Sequence, residues 1–325
     1  MDNLTHSLVG LFLARAGFKH VTPRGTAILI VAANAPDFDT PCFFFGPAAY
    51  IHWHRNITHS LIALPFMALL SVAVVRWISR TKVRWVPAFW IATLGVASHL
   101  ILDLTNAYGV RLLLPFSGHW THWDLTPVVD LAIWAILLLG VVAPWFGRLV
   151  GSEIGETRRG GGGGWAVLSL LLLTGYDYGR EVAHDRAVAT VDSRIYNGLA
   201  PRRVGAFPND NPLVWKGVAE LSNAFVVVPV DLRKEFRPED GMTFFKPPRT
   251  LAMQAAMITP AFQAFLEFVQ WPVWVLEPNQ VRLVDLRFGT PNAPGFEATA
   301  VLDNSDHVVS SVFGFGPVSN SIQHR

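Results

Sequence analysis

The chain has 325 residues, 51% of them hydrophobic and only 15% charged, where soluble domains carry roughly 25% charge. A formal net charge of +2 says nothing about partners, so it gives no ground to expect nucleic-acid binding. The single cysteine, Cys42, excludes an intrachain disulfide and a thiolate metal cluster.

Positive mean hydropathy and twelve tryptophans point to a membrane protein long enough for two domains. The start Met1-Asp-Asn has no basic n-region and no signal-peptide pattern. Leu4 to Phe18 and Thr26 to Ala35 are short apolar runs, below the roughly 20 residues of a full span. Residues 57–78 and 85–103 read as spans, followed by a fifth segment from about Pro127 to Phe146 and a sixth from Trp165 to Tyr176. Between the last two lies a stretch with five glycines at 160–164, which reads as a flexible linker.

Beyond Tyr178 the pattern changes. Arg180 to Val191 continues as helix. Runs such as Phe225-Val-Val-Val-Pro-Val-Asp, Val281-Arg-Leu-Val-Asp-Leu-Arg and Glu297-Ala-Thr-Ala-Val-Leu, separated by turn residues, read as strands. Leu251 to Phe268 reads as a helix with Pro260 at a start or kink. The expected architecture is a membrane α-helical bundle of about six helices, followed by a smaller soluble β-rich (α+β) domain. Its parts are a helical domain over 1–147, a linker over 148–164, a last transmembrane helix over 165–180 and an outer domain over 181–325.

The connections after segments one, three and five carry Arg15, Lys19 and Arg24; Arg76, Arg80, Lys82 and Arg84; and Arg148, Arg158 and Arg159. The alternate connections carry only Arg55 and Arg111. The positive-inside rule places the first set in the cytoplasm and the others outside. The outer ends are where ionisable residues gather: His6, Asp37, Asp39, His54, His59, His99, Asp103, His122 and Asp124. His99 and Asp103 stand at i, i+4 and share a helix face. His and Asp donors suit zinc, manganese or iron. A shared metal site of one or two ions, formed by His6, Asp37, His54, His59, His99 and Asp103, is the expectation.

Each residue also has a plainer reading. A lone His at a helix mouth is usually an interfacial residue, and Asp after Pro is usually a cap or turn. His52, His119 and His122 read as amphipathic anchors, and Trp53, Trp120 and Trp123 as an aromatic belt. Arg55 reads as a partner for a substrate phosphate or carboxylate, or for a lipid headgroup. The metal reading rests on the collection of ionisable groups at one set of membrane-segment ends.

Met1-Asp-Asn-Leu-Thr-His6-Ser, Ala35-Pro-Asp37-Phe-Asp39, His54-Arg-Asn-Ile-Thr-His59-Ser, Ser98-His99-Leu-Ile-Leu-Asp103 and Trp123-Asp124 resemble the YdjM-type family. The resemblance spans roughly residues 1–146 and implies a bacterial inner-membrane, metal-dependent hydrolase. More distantly, the order His, Asp, His, then His-x3-Asp is similar to zinc-dependent phospholipase C and zinc-dependent single-strand nucleases. That likeness implies metal ligands at His6, Asp37, His59, His99 and Asp103, but the further His-x3-Glu pair of those enzymes has no counterpart in this sequence.

The functional expectation is a multi-pass protein of the bacterial inner membrane, its site and C-terminal domain on the periplasmic side. It hydrolyses a phosphoester or other ester, lipid-derived in the simplest case, with metal-activated water. Asp39 or Asp124 acts as general base or orients a ligand, and Arg55 contacts substrate. The lipid bilayer is the expected partner, and no protein partner is specified. The rival readings are a structural metal with a partner-binding outer domain, and a transporter. Against transport, the polar residues crowd one side instead of the midplane.

Overall fold

The computed structural model describes residues 1–153 and 162–317. The chain divides into two compact units. One comprises residues 1–38, 55–184 and 208–212, and the other residues 39–54, 185–207 and 213–325.

In the first unit, α1 (Asn3–Arg15) begins where Asp2 accepts from the backbone N–H groups of Leu4 and Thr5 at 3.1 and 3.0 Å, a side-chain cap for otherwise orphaned donors. It packs on α2 (Gly25–Ala32). Next come a 3₁₀ segment over Pro36–Phe45, a short α3 (Pro47–Trp53) that belongs to the second unit, and α4 (Leu64–Ser79). The unit is completed by α5 (Trp85–Leu104), α6 (Leu131–Glu153) and α7 (Gly163–Asp192), the last belonging to it as far as His184.

Two close approaches tie the small helices together. A Cβ on Gly10 would stand 2.8 Å from the carbonyl oxygen of Leu29, and one on Gly95 would stand 2.8 Å from Ala32 Cβ. Glycine at both points lets α1 and α5 lie directly on α2, the small-residue packing common between membrane helices. Around these contacts Ile28, Leu29, Val72, Ile91 and Val96 are buried together. A second apolar cluster of Val9, Phe12, Ile133, Leu137 and Leu173 joins α1 to α6 and α7.

At one end of this bundle the basic loops meet. Arg84 donates to the carbonyl of Val21, the backbone N–H of Arg84 donates to Thr22 Oγ1 at 3.2 Å, and Arg24 Nε donates to Thr81 Oγ1 at 3.4 Å. The opposite end holds the N-terminus of α1, the exit from α2, the entry to α4 and the C-terminus of α5.

Ten helices, 3₁₀ turns included, precede the sheets among the described residues. One of them, α5, is long and apolar enough to cross a bilayer; its 20 residues extend about 30 Å. Two more spans result only if Gly25–Ala32 with Pro36–Phe45, and Pro47–His59 with Leu64–Ser79, are each counted as one broken helix.

The third apolar segment therefore differs from the single helix expected over 57–78. Ile57–His59 forms a 3₁₀ turn, and α4 starts only at Leu64. Ser60 Oγ donates to the Ile57 carbonyl at 2.7 Å and accepts from the Ala63 N–H at 3.3 Å. That local bonding competes with helix continuation, and Pro65 has no N–H to bond the Leu61 carbonyl, so it fits only the first turn of a helix that starts at Leu64. His59 thus lies on a turn ahead of the helix. The expected linker over 148–164 is shortened by α6 reaching Glu153 and α7 starting at Gly163; its centre, 154–161, including Arg158 and Arg159, lies outside the described residues.

The second unit is built on two four-stranded sheets. The first runs β1 (Arg203–Pro208, of which Pro208 falls in the first unit), β2 (Val214–Glu220), β3 (Ala224–Asp231) and β4 (Met242–Phe245) in that spatial order. The second runs β5 (Pro272–Glu277), β6 (Gln280–Asp285), β7 (Phe296–Leu302) and β8 (Val308–Phe315). The pairings of β2 with β3, β3 with β4, and successive strands from β5 to β8 are antiparallel, with Glu277 opposite Gln280 across a tight turn at Pro278-Asn279. Asn279 takes the left-handed φ of +59° that such turns demand and Asn tolerates.

Between the sheets the expected single helix over 251–268 is two: α8 (Leu251–Met257) and α9 (Pro260–Leu266). Pro260 lacks an N–H and so opens a new helix instead of continuing the old one. The stretch 39–54 packs with these C-terminal elements. Tyr50 meets the ring of Phe315 edge-on at 5.6 Å, and His52 Nδ1 lies 3.3 Å from Glu267 Oε2.

A candidate metal centre at the helix ends

Four side chains converge at the end of the first unit opposite the basic loops. Asp37 comes from the 3₁₀ segment after α2, His59 from the turn before α4, and His99 and Asp103 from the last turns of α5. His59, His99 and Asp103 are 0% exposed and Asp37 is 8% exposed. A cluster so dry needs its charges and lone pairs matched internally.

The distances show how they face one another. His59 Nε2 and His99 Nε2 are 3.2 Å apart. Asp103 Oδ2 lies 3.4 Å from His59 Nε2 and 3.3 Å from His99 Nε2. Asp37 Oδ1 lies 3.5 Å from His59 Nε2 and 3.7 Å from His99 Nε2. Four donors held tetrahedrally at about 2.0–2.1 Å from one ion stand about 3.3–3.4 Å apart. The five separations, 3.2–3.7 Å, bracket that value, with Asp37 the farthest out.

The tautomers agree with this geometry. His99 Nδ1 lies 2.8 Å from the carbonyl oxygen of Ala33, which can only accept. Nδ1 therefore carries the hydrogen, and in the neutral ring Nε2 presents a lone pair to the cluster. Asp103 Oδ2 has no hydrogen-bond partner although it is buried. A lone pair and an unpartnered carboxylate oxygen aimed at one point fit a cation.

Each donor is also held from behind. Asn3 Nδ2 donates to Asp37 Oδ2 at 3.1 Å, turning Oδ1 toward the imidazoles. Thr58 Oγ1 lies 3.0 Å from His59 Nδ1. Asp103 Oδ1 takes the Arg55 guanidinium at 2.9 Å and the Met1 amino group. Outer partners of this kind fix ligand orientation and basicity. Asn3 and Thr58 were not singled out by sequence reasoning. Adjacency to His59 was the available signal for Thr58, while Asn3 is marked only by lying one helical turn before His6.

The remaining expected site residues take other positions. His6 is fully buried and stacks on His99 with ring centroids 3.8 Å apart; its Nε2 is 3.4 Å from Asp103 Oδ1, the oxygen turned away from the two imidazoles. It stands beside the four-donor group instead of in it. His54 Nδ1 lies 2.7 Å from Asp39 Oδ1, so those two form a His–Asp pair.

Arg55 is 3% exposed and directed inward. Besides Asp103, it donates to Asn106 Oδ1 at 3.1 Å and lies over the Tyr108 ring at 4.8 Å. Its left-handed φ of +59° is uncommon for a bulky residue. Asp124, also at φ +59°, pairs with His122 Nδ1 at 2.7 Å. The loop carrying that pair is tied to the end of α5 by Trp123 N–H donating to the Leu104 carbonyl at 2.7 Å.

Comparisons with known proteins match separate stretches of the chain. Residues 1–183 match the family described as YdjM inner membrane protein, and residues 251–322 match the YfhP C-terminal alpha/beta plait domain. A curated relative, uncharacterized protein YfhP of Bacillus subtilis (strain 168), is 26% identical over 330 residues, covering 97% of this chain and 95% of the relative. No solved structure matches. The family match spans more than half of the chain and contains all four converging donors; this membrane protein belongs to the YdjM inner membrane protein family.

Proposed function

We propose that the chain is a divalent-metal-dependent hydrolase of the bacterial inner membrane, acting on a phosphoester or other ester of lipid origin. The observation that carries the metal part is that His59 Nε2 and His99 Nε2 face each other at 3.2 Å, with Asp103 Oδ2 and Asp37 Oδ1 each 3.3–3.7 Å from both nitrogens. A two-His, two-carboxylate donor set with no thiolate suits zinc, with manganese or iron as alternatives. A divalent ion at such a site supplies Lewis acidity and makes water acidic enough to lose a proton near neutral pH.

The chain's own groups have separate roles. His59, His99, Asp37 and Asp103 hold the ion. Arg55 neutralises the outer oxygen of Asp103, while Asn3 orients Asp37. Asp37, with the highest exposure of the four at 8%, marks the side by which water and substrate enter. The His122–Asp124 pair is a candidate for moving a proton, since the carboxylate fixes the ring. The positive-inside pattern supports placing the site on the periplasmic side.

A structural ion is the second reading, favoured by three donors being fully buried, because closed four-donor sites are the usual structural kind. X-ray absorption on the metal-loaded protein, paired with turnover of a chromogenic phosphodiester and a lipid phosphoester, tests the two. A water-bearing position together with metal-dependent turnover supports the hydrolase. A closed shell with no turnover supports the structural ion, and turnover by metal-free protein contradicts both.

A further inference from the structure

The second unit contains a cleft of about 270 Å³ lined from both sheets and from α8. Phe225 on β3, Met253 on α8, and Val273 and Trp274 on β5 supply apolar wall. Trp274 is held flat by Phe262 stacked on it at 5.8 Å and 17°. The wall thus presents aromatic rings from both sheets, Phe225 and Trp274.

The polar lining is uneven in charge. Glu220 is the one acid among the lining residues, against Lys246 and Arg249. Glu220 is already shared: Lys246 Nζ donates to its Oε1 at 2.7 Å, and Arg203 Nε donates to its Oε2 at 3.1 Å. Lys246 also donates to the Leu221 carbonyl at 2.9 Å and lies 4.6 Å from the Phe225 ring centroid. Arg249 is exposed and has no hydrogen bond or ion pair among the described residues. An apolar cleft thus ends in a cation with no anion.

We infer that this cleft binds a single medium-length acyl chain carrying an anionic headgroup. The apolar wall takes the chain, and Arg249 takes the headgroup as a planar cation suited to carboxylate or phosphate. The volume lies just under the roughly 300–1,000 Å³ of pockets for drug-sized ligands, which suits one chain and excludes a two-chain lipid body. Phe245 and Leu251, 69% and 73% exposed, border the same region of chain and offer an apolar approach. The same chemistry is presented by a free single-chain amphiphile and by one chain of an anionic bilayer lipid.

The test uses the full chain in phosphatidylcholine nanodiscs with decanoate bearing a terminal diazirine, followed by peptide mapping of the photolabel. The expected result is saturable labelling at Phe225, Met253 or Trp274, competed by plain decanoate. Arg249→Glu is expected to weaken half-saturation about tenfold, the effect of turning an attractive charge contact into a repulsive one. Met253→Trp, which fills the cleft, removes the labelling. A diazirine placed in an acyl chain of phosphatidylglycerol distinguishes the source: labelling from the added decanoate alone indicates a free amphiphile, and labelling from the lipid indicates the bilayer. Equal labelling by the uncharged decanol analogue, unchanged half-saturation in Arg249→Glu, or labelling away from the cleft overturns the inference. None of these variants touches the four converging donors, so the result is independent of the metal site.

Discussion

His59 and His99 direct their Nε2 atoms at one another across 3.2 Å, and the other ring nitrogen of His99 is given to the carbonyl of Ala33 at 2.8 Å. Two imidazole lone pairs repel at that distance unless a proton or a cation lies between them and the two carboxylates beside them. The backbone carbonyl sets the tautomer, so α2 and α5 together decide what the centre can bind.

Asn3→Ala removes the partner of Asp37 Oδ2 without removing a donor. Metal affinity is expected to fall about 10–100-fold, as it does when outer hydrogen bonds of ligands are lost. Competitive titration against a chelating dye measures this, and an unchanged affinity would show that Asp37 needs no orientation from Asn3.

Arg55→Met tests whether the arginine belongs to the centre or to a substrate. It is buried against Asp103, Asn106 and Tyr108, and losing it leaves a buried carboxylate short of a cation, which typically costs about 3–5 kcal/mol. Thermal unfolding in nanodiscs should drop accordingly in protein without metal, and added metal should restore part of the loss. A variant of wild-type stability with only a raised KM would place Arg55 at the substrate instead.

Gly95→Leu forces a side chain into the contact with Ala32, where even a Cβ would stand at 2.8 Å. Overpacking of this kind costs about 1–3 kcal/mol. Because α2 also carries Ala33, whose carbonyl holds His99, metal affinity is expected to fall with stability. The same change at Gly164, where a Cβ would meet nothing within 4 Å, should leave both unaltered.

Lys216 gives the second unit a pH dependence. Burial pushes its ammonium down to about 8, partly opposed by Asp285, while Arg287 adds to the depression. The unfolded chain holds this proton up to the ordinary lysine range near 10.5, so between those values it binds more protons than the folded unit. Stability is then expected to rise with pH from about 8 to about 10.5. Denaturant unfolding across that range checks the sign, with Lys216→Met as the reference in which the rise disappears.

Much of the helix-end clustering was readable from the chain. His99 and Asp103 at i, i+4 had to share a face of α5, and the alternation of basic and His/Asp connections put the ionisable ends together. Which residues complete the donor set was not readable. His6 and His54 have the same chemistry and lie outside the four-donor group, His6 stacked on His99 with both ring nitrogens buried and without a hydrogen-bond partner, and His54 paired with Asp39.

The boundaries failed for local reasons. Ser60 and Pro65 break an apolar run that hydropathy alone treats as continuous, so His59 sits on a turn. Strands β3, β6 and β7 followed from apolar runs and turn residues. The packing of 39–54 with that unit did not, because contacts such as Tyr50 on Phe315 join residues far apart in sequence.

Elemental analysis of nanodisc-purified protein tests the central claim most directly, with wild type beside His99→Ala and Asp103→Asn. About one equivalent of zinc, manganese or iron in the wild type, lost in both variants while their helical circular dichroism is retained, is the expected result. A folded wild type that takes up no metal on reconstitution, or variants that keep the full equivalent, would contradict a metal centre built by these four residues.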